Sequence, residues 1–384
     1  MVERGDTVRV SGDAGTHDGR PSVRRVAVLG AGLIGTSIAL ALASRGVGVL
    51  LSDPDAAALR LACELGAGSP LAEGDGRPVD VAIIAAPPAV VPTVLRDAQD
   101  RGLAHVYTDA ASVKASVVFA AERLGCDMAT FVPGHPMGGR EKRGPGAARA
   151  DLFLGRSWAL CPTAKADAGT VERVAEVARL CGADPLVVDA DAHDRAVALV
   201  SHAPHVASSA VAARLLGADD EALTLAGQGV RDVTRVAGGD PSLWMEILAH
   251  NAAPVAEVLR AMAEDLARAA DALAARDPED TGGADPVRDL LVRGREGHGR
   301  IPGKHGAATL PEYTIIPVVI PDEPGTLGRL FAAAADAGVN IEDVRIEHTP
   351  GLPLGVAQLS VLPSGVEVLS RALAADGWSV HPGA

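Results

Sequence analysis

The chain has 384 residues, of which 48% are hydrophobic, and its formal net charge is −14. Its length predicts two or three domains. Its charge would repel nucleic acids and anionic membranes, and no run approaches the roughly 18 to 20 apolar residues of a bilayer span. We therefore expect a soluble protein; small anionic substrates stay open, because a local arginine cluster can hold a carboxylate.

The N-terminus and the cysteines indicate the cellular compartment. Residues 1–22 are rich in charges and glycine, which predicts a disordered leader rather than a secretion signal. The four cysteines form no CxxC pair and stand among apolar residues; they are Cys63, Cys126, Cys161 and Cys181. This pattern is typical of reduced, buried thiols. We expect a cytoplasmic protein without a bound metal.

Residues 23–190 alternate short apolar runs with alanine-rich helical stretches. The predicted strands are VRRVAVLG, GVLLSD, VDVAIIA, HVYTDA, TFVPGHP, SWALCP and LVVDA. Strands that alternate with helices predict an α/β fold with a doubly wound parallel sheet.

A glycine-rich turn follows the first predicted strand. Gly30, Gly32 and Gly35 form a GxGxxG pattern that opens a helix through Leu33 and Ile34. In this context Gly30 permits the tight turn, Gly32 leaves room for a pyrophosphate, and Gly35 lets helix and strand pack closely. The N-terminus of the helix favours the phosphate charge.

The second predicted strand ends at Asp53, about twenty residues after the turn. A carboxylate there accepts hydrogen bonds from the adenosine ribose and repels a 2′-phosphate. The two features predict a Rossmann-type domain over residues 23–190 that binds NAD rather than NADP. The alternative is a structural glycine turn in which Asp53 caps a loop.

The rest of the chain divides into three parts. Residues 191–276 lack strand-like runs and have apolar residues at helical spacing, which predicts an all-helical dimerisation and substrate domain. Apolar faces around Trp244 and Ile247 agree with a shared interface, although packing within one chain would need similar residues. Residues 277–310 predict a partly disordered linker. Residues 311–384 have the β-α-β-β-α-β order of a ferredoxin-like domain.

Two polar segments follow predicted strands, where ligands of open parallel sheets bind. TDAASVKAS contains Ser112, for which an N-cap role beside a solvated Lys114 is an equal explanation. GHPMGGREKRG contains His135 and Glu141. A lone loop histidine is more often a surface residue than a base, but its pKa near neutrality suits proton transfer.

A third group of polar residues lies in the predicted helical domain. In SHAPH, His202 and His205 share a helix face and could be core, cleft or metal-binding residues. Metal is the least favoured reading, because no Cys, Asp or Glu stands at ligand spacing beside them. In GQGVRDVTR, Arg231 and Arg235 offer guanidinium groups that can bind a carboxylate through two hydrogen bonds.

The motif order is distinctive. The glycine pattern, DxxSVK, HPMGGRE, SHAPH and RDVTR together resemble the prephenate/arogenate dehydrogenase family of tyrosine biosynthesis, over about residues 26–276. HPMGGRE and SHAPH are the most specific of these motifs. Further on, DEPGTLGRL followed by GVNIEDV resembles an ACT domain, the small-molecule sensor of amino-acid enzymes.

The resemblance implies NAD-dependent oxidative decarboxylation of prephenate to 4-hydroxyphenylpyruvate. It implies that His135 accepts the proton of the ring hydroxyl while hydride leaves for NAD, that Ser112 orients this hydroxyl, and that Arg235 holds a substrate carboxylate. It implies a structural role for Arg231. It places three further side chains beside the substrate: His202, His205 and Glu141.

Two departures from the family pattern bear on the substrate. Arg143 stands where many relatives have serine, and Ala203 replaces a common leucine. Arogenate differs from prephenate by an added ammonium, so Glu141 would favour arogenate and Arg140 or Arg143 would offset that preference. Arogenate dehydrogenase and a non-catalytic sensor of NAD and amino acids stay as alternatives. A β-hydroxyacid dehydrogenase is disfavoured, because residues 191–276 lack its usual lysine.

The ACT-like segment suggests regulation. Asp322, Gly325 and Asn340 occupy positions where that module commonly binds an amino acid between paired copies. The resemblance implies a homodimer inhibited by tyrosine, the end product of the pathway. The alternative is a domain that only dimerises.

Overall fold

The computed structural model describes residues 8–9, 22–72, 77–138, 143–275, 285–301, 313–348 and 353–380. Two compact units divide the chain, residues 1–266 and 267–384. The larger unit therefore contains both the predicted nucleotide-binding domain and most of the predicted helical domain.

The strands of the larger unit all lie before residue 190. They are β1 (Val8–Arg9), β2 (Arg25–Leu29), β3 (Gly48–Ser52), β4 (Ser69–Pro70), β5 (Val79–Ile84), β6 (Ala104–Asp109), β7 (Phe131–Val132), β8 (Gly134–Pro136), β9 (Ser157–Leu160) and β10 (Asp184–Val187). A six-stranded sheet has the order β4-β3-β2-β5-β6-β7, with every neighbouring pair parallel. Strand order reverses between β2 and β5, and ligands of such sheets bind beyond the carboxyl ends of the strands at this point.

Helices cover this sheet and continue beyond it. Those of the nucleotide-binding part are α1 (Leu33–Ser44), α2 (Ala56–Glu64), α3 (Val91–Asp100), α4 (Ala115–Arg123) and α5 (Ala168–Leu180). The following ones are α6 (Ala190–Val197), α7 (Ala203–Arg214), α8 (Asp220–Thr224), α9 (Gln228–Thr234), α10 (Pro241–His250) and α11 (Ala252–Ala274). Buried residues of α1 and α5 pack with β2 and β3 in one core, and those of α3 and α4 pack with β5 in another. The sheet thus carries helices on both faces.

The last predicted strands of the nucleotide-binding part form a second sheet, which corrects the expectation of one parallel sheet. Its order is β1-β10-β9-β8, and β8 runs antiparallel to β9. Only Pro133 separates β7 from β8. Proline has no N–H to extend a strand ladder, so the chain leaves the first sheet there and pairs with β9 instead.

The structure describes regular elements within two segments for which we predicted disorder or partial disorder. Val8–Arg9 pairs with β10, whose edge offers free backbone groups, although residues 1–7 and 10–21 of the predicted leader lie outside the described residues. In the predicted linker, α12 (Pro286–Gly299) forms a helix. Asp285 caps it by accepting a hydrogen bond from Val287 N at 2.9 Å. A capping aspartate before a proline at the first helical position starts a helix even without a sustained apolar face.

The smaller unit contains an antiparallel sheet. Its elements after α12 are β11 (Thr314–Pro321), α13 (Thr326–Asp336), β12 (Asp343–His348), β13 (Leu354–Val361), α14 (Val366–Ala375) and β14 (Ser379–Val380). The strand order is β12-β13-β11-β14, and each neighbouring pair is antiparallel. Alternate residues of β11 and β13 are buried against Leu330 of α13 and Leu369 of α14. One sheet face therefore packs on the two helices.

A continuous helical stretch, Ala190–Gly217, links α6 to α7 through a π-helical turn at Ala198–His202. By length and composition this stretch could cross a bilayer, and 33% of its apolar 18-residue window is buried within this chain. Four of its buried side chains are ionisable: His193, Asp194, His202 and His205. Burying ionisable groups in a bilayer is costly, which favours a helix of a folded domain.

Candidate active site

The loop between β2 and α1 is tightly packed at two of its glycines and open at the third. Gly30 has φ of 117°, and a Cβ there would lie 2.2 Å from the backbone oxygen of Ala85. A Cβ on Gly35 would lie 1.9 Å from the oxygen of Gly30, whereas one on Gly32 would meet no described atom within 4 Å. Gly32 precedes α1, whose first N–H groups no described side chain caps. This open, positive helix end fits a nucleotide pyrophosphate.

Asp53 lies beside that loop, immediately after β3. Its Oδ2 accepts a hydrogen bond from Ala31 N at 2.6 Å, and its Oδ1 accepts one from Asp55 N at 2.7 Å. Each carboxylate oxygen has a second lone pair, so the group can still accept ribose hydroxyls. Asp53 thus fits both a structural role in the loop and the predicted role in NAD binding.

The segments that contain Ser112 and His135 are tied together by a buried ion pair. Lys114 and Asp109 are fully buried; Lys114 Nζ contacts the Asp109 carboxylate and donates to the backbone oxygen of Gly134 at 2.6 Å. Asp109 also accepts a hydrogen bond from Gly134 N at 3.0 Å. The alternative in which Lys114 is solvated was therefore wrong. Ser112 is half-buried, and its hydroxyl has no hydrogen-bond partner among the described residues.

His135 begins a chain of hydrogen bonds into the helical part. Its Nδ1 lies 2.9 Å from Nε2 of His193, whose Nδ1 lies 2.8 Å from Oδ1 of Asp194. Asp194 in turn accepts hydrogen bonds from the backbone N–H groups of Lys114 at 2.8 Å and Ala115 at 2.9 Å. Burial lowers the pKa of His135 well below its ordinary value, and its electrostatic interactions with His193, Lys114 and His202 lower it further. His135 is therefore neutral near pH 7.

His202 and His205 meet at Trp244 of α10. The His205 ring stacks on Trp244 with ring centroids 3.6 Å apart, and His202 approaches it edge-on at 6.1 Å. The Asn251 amide nitrogen lies 3.0 Å from His202 Nδ1. Because an amide NH₂ only donates, His202 Nδ1 accepts and its proton is on Nε2. Burial lowers the pKa of His202 to about 4, although Asp194 raises it.

Arg235 begins a short helical turn that leads to this aromatic cluster. The turn, Arg235–Gly238, ends at Gly239, where a Cβ would lie 2.6 Å from Trp244 Nε1 and 2.9 Å from His205 Cε1. The turn can approach the histidine this closely only because residue 239 has no side chain. Asp240, the next residue, forms a 2.9 Å ion pair with Arg143. Glu141 lies outside the described residues, so its predicted place is not described.

Sequence reasoning missed three members of this cluster: His193, Asp194 and Asn251. His193 and Asp194 stood in a segment interpreted only as the start of a helix. The available signal was an adjacent histidine–aspartate pair that stands eight and nine residues before His202. Asn251 follows α10 and had no local motif; only the tertiary fold brings it to Asp194, whose backbone oxygen accepts from its amide at 2.8 Å.

The proposed regulatory residues are not brought together within one chain. Asp322 and Gly325 lie between β11 and α13, and Gly325 has φ of 86°. Asn340 lies beyond the other end of α13, which at 11 residues is about 16 Å long. All three residues are exposed in the single chain.

Comparisons with known proteins agree with this geometry. Residues 38–187 match the family model of the prephenate dehydrogenase nucleotide-binding domain, and residues 189–282 match that of the prephenate dehydrogenase dimerization domain. The chain is 41% identical over 363 residues to "Probable prephenate dehydrogenase NovF" of Streptomyces niveus, which covers 94% of this chain and 100% of that protein.

Two solved structures share the fold. The prephenate dehydrogenase of Aquifex aeolicus, in complex with hydroxyphenyl propionate and NAD+, has a TM-score of 0.62 at 24% identity, over 72% of this chain and 98% of that chain. Synechocystis arogenate dehydrogenase has a TM-score of 0.59 at 24% identity, over 71% and 98%. The long match to the Streptomyces relative and the two matching domain models lead to one conclusion. The chain belongs to the prephenate dehydrogenase family of NAD-dependent oxidoreductases.

Proposed function

We propose that the enzyme oxidises prephenate to 4-hydroxyphenylpyruvate and carbon dioxide. The observation that carries this proposal is the neutral His135 at the carboxyl end of the sheet. Its Nδ1 is engaged by His193, and a substrate hydroxyl therefore has Nε2 to approach. The 41% identical relative, whose name is that of a prephenate dehydrogenase, supports the same substrate.

Each side chain of the site has a task in this reaction. NAD supplies the hydride acceptor when bound. His135 Nε2 accepts the proton of the ring hydroxyl as the C–O bond becomes a carbonyl, and the half-buried Ser112 hydroxyl orients the same group. Loss of carbon dioxide then follows from aromatisation of the ring, so the protein mainly positions groups and balances charge.

The substrate's carboxylates need positive or hydrogen-bonding partners. Arg235 binds one carboxylate through its guanidinium, and Nε2–H of His202 donates to an anionic group of the substrate. His205, held flat against Trp244, forms a wall of the pocket. The family resemblance assigns Glu141 the recognition of the substrate side chain that distinguishes prephenate from arogenate.

Arogenate is the second candidate substrate. Asp240 pairs with Arg143 and so reduces the positive charge available to oppose the ammonium of arogenate. Both side chains of this pair are substantially exposed, and the pair is therefore a weak discriminator.

Turnover of the two compounds tests the proposal directly. We expect NADH formation with NAD and prephenate that exceeds the rate with arogenate. A His135→Asn variant should lose about 100- to 10,000-fold in kcat, because the amide cannot take up the proton. A His105→Asn variant, which changes an exposed histidine of β6, is the control. Binding of NAD without turnover of either compound would instead favour the non-catalytic sensor.

We also infer that the enzyme is a homodimer and that its smaller unit is a ferredoxin-like ACT domain that binds tyrosine. The β-α-β-β-α-β order and the strand order of its sheet support this assignment. The separation of Asn340 from Asp322 and Gly325 supports a ligand held between paired copies. Calorimetric titration of the full-length enzyme with tyrosine should give saturable heat that Asn340→Ala weakens. Heat that stays at the blank level at millimolar tyrosine would leave a domain that only dimerises.

A further inference from the structure

We propose that His193 and Asp194 are positioning residues of the reaction, which hold His135 in the tautomer whose Nε2 accepts a proton. The inference deepens the proposed function, since it rests on His135 as the proton acceptor. Neither residue belongs to the motifs that identified the family.

The hydrogen bonds of Asp194 determine which nitrogen of His193 carries a proton. Asp194 Oδ1 accepts a hydrogen bond from Lys114 N at 2.8 Å, and Oδ2 accepts one from Ala115 N at 2.9 Å. An ionised carboxylate only accepts, so the contact at 2.8 Å from His193 Nδ1 requires the proton on that nitrogen. In the neutral ring, His193 Nε2 then carries a lone pair.

The protonation of His193 in turn determines which nitrogen of His135 carries a proton. Its Nδ1 lies 2.9 Å from the unprotonated Nε2 of His193, and a hydrogen bond between them requires that His135 Nδ1 donates. The neutral ring has one proton, which leaves the lone pair on Nε2. The carboxylate of Asp194 thus fixes the acceptor two hydrogen bonds away.

The contacts of Asp194 hold the chain of hydrogen bonds in place, and its carboxylate can stabilise a positive charge on His135. Asp194 receives backbone N–H groups at the start of α4, and its own backbone oxygen accepts from Asn251 at 2.8 Å. His193 and Asp194 are each only 3% exposed, so the chain of bonds is held inside the protein. When the substrate O–H bond breaks and the new N–H bond forms at His135 Nε2, the ring becomes an imidazolium. A buried anion linked through His193 stabilises that charge, as in a catalytic triad.

The competing explanation is structural, since Asp194 also fastens α6 to the start of α4. A structural role predicts lower stability when the residues are changed. It predicts no particular tautomer of His135 and no selective loss of kcat.

Nitrogen NMR of the full-length enzyme with ¹⁵N-labelled histidine separates the two explanations. In the wild type we expect His135 protonated at Nδ1 and unprotonated at Nε2. His193→Phe, which fills the same space without an accepting nitrogen, should give a mixture of tautomers and reduce kcat by about 10- to 100-fold, with a smaller change in KM. In His193→Gln the amide oxygen can accept a hydrogen bond from His135 Nδ1. This variant should therefore recover part of the wild-type tautomer preference and part of the wild-type kcat. His105→Phe is the control and should change neither.

Three outcomes would overturn the inference: a wild-type His135 with the proton on Nε2, a His193→Phe variant with wild-type tautomer and kcat, or equal losses in the Phe and Gln variants. If His193→Phe does not fold, the wild-type spectrum and the Gln variant still decide. Failure of the proposed function is recognised separately, because the tautomer is measured without substrate. A correct tautomer in a protein that turns over neither substrate would contradict the assigned reaction and leave the positioning role of His193 intact.

Discussion

At the scale of single residues, the proposed chemistry requires that the histidines of the site are neutral. Burial makes protonation unfavourable for both His135 and His202, although Asp194 favours it at His202. A general base must be unprotonated before it reacts, and a lowered pKa extends its working range toward acid. His202 is the proposed hydrogen-bond donor to the substrate. It keeps its Nε2 proton over the same pH range, because the neutral ring carries that proton.

The lowered pKa of His135 predicts how the activity of the enzyme depends on pH. A histidine with an ordinary pKa of about 6.5 would lose half its base form at that pH. Because the pKa of His135 lies well below this value, kcat/KM should stay constant through pH 6.5 and fall only in more acidic solution. An acidic limb centred at or above pH 6.5 would contradict a buried neutral base.

The lowered histidine pKa values also determine how the folding stability changes with pH. A group whose folded-state pKa is lowered stabilises the fold fully above its unfolded pKa and loses that contribution as the pH falls. For His202 the loss should occur between about 6.5 and the folded-state pKa of about 4. Thermal unfolding as a function of pH measures it, and His202→Gln should flatten part of the decline.

At the scale of elements, the β2–α1 loop separates packing from ligand binding. A side chain at Gly35 would collide with the backbone oxygen of Gly30, whereas one at Gly32 would enter open space. The packing of the loop therefore requires Gly35 but not Gly32. We expect that Gly32 is instead required for the approach of the cofactor.

A pair of alanine variants tests this division. Gly32→Ala should fold with unchanged thermal stability and bind NAD about 10-fold or more weakly, because the methyl group occupies space beside the helix N-terminus. Gly35→Ala should lower the melting temperature as well, since backbone atoms must move. NAD titration by fluorescence and thermal unfolding measure the two effects. Equal stability losses in both variants would disprove the distinction.

The sequence predicted elements better than their connections. Alternating apolar runs located the strands of the nucleotide-binding part, because parallel strands buried on both faces leave a strong local pattern. The turn of β8 into a second sheet was missed, because its direction depends on which neighbour accepts its backbone groups. Likewise His135 was chosen from its motif, but its partner His193 is 58 residues away, and no local pattern encodes that contact.

At the scale of the whole molecule, a single chain leaves much apolar surface exposed. Leu199 and Val200 on the helical stretch are 61% and 65% exposed, and Leu225 is 85% exposed. Apolar surface of this kind marks interaction sites in soluble proteins. The match of residues 189–282 to a dimerization domain identifies a second copy as the expected partner.

Sedimentation velocity should therefore detect a dimer at micromolar concentration. Leu199→Asp, which puts a charge into the expected contact, should shift the enzyme toward the monomer. Leu124→Asp is a matched control, since Leu124 is 49% exposed at the end of α4 in the nucleotide-binding part. A monomeric wild type, or an unaffected Leu199→Asp dimer, would contradict this interface.

The contact between Asp194 and the start of α4 bears on modularity. The two matched domain models meet between residues 187 and 189, so the bonds from Lys114 and Ala115 to Asp194 cross the boundary between them. His135 belongs to one side and its partner His193 to the other. The nucleotide-binding part can therefore not be recombined freely with a foreign helical part. We expect a chimaera to keep NAD affinity and to lose the proposed tautomer of His135, unless the histidine–aspartate pair is carried across with it.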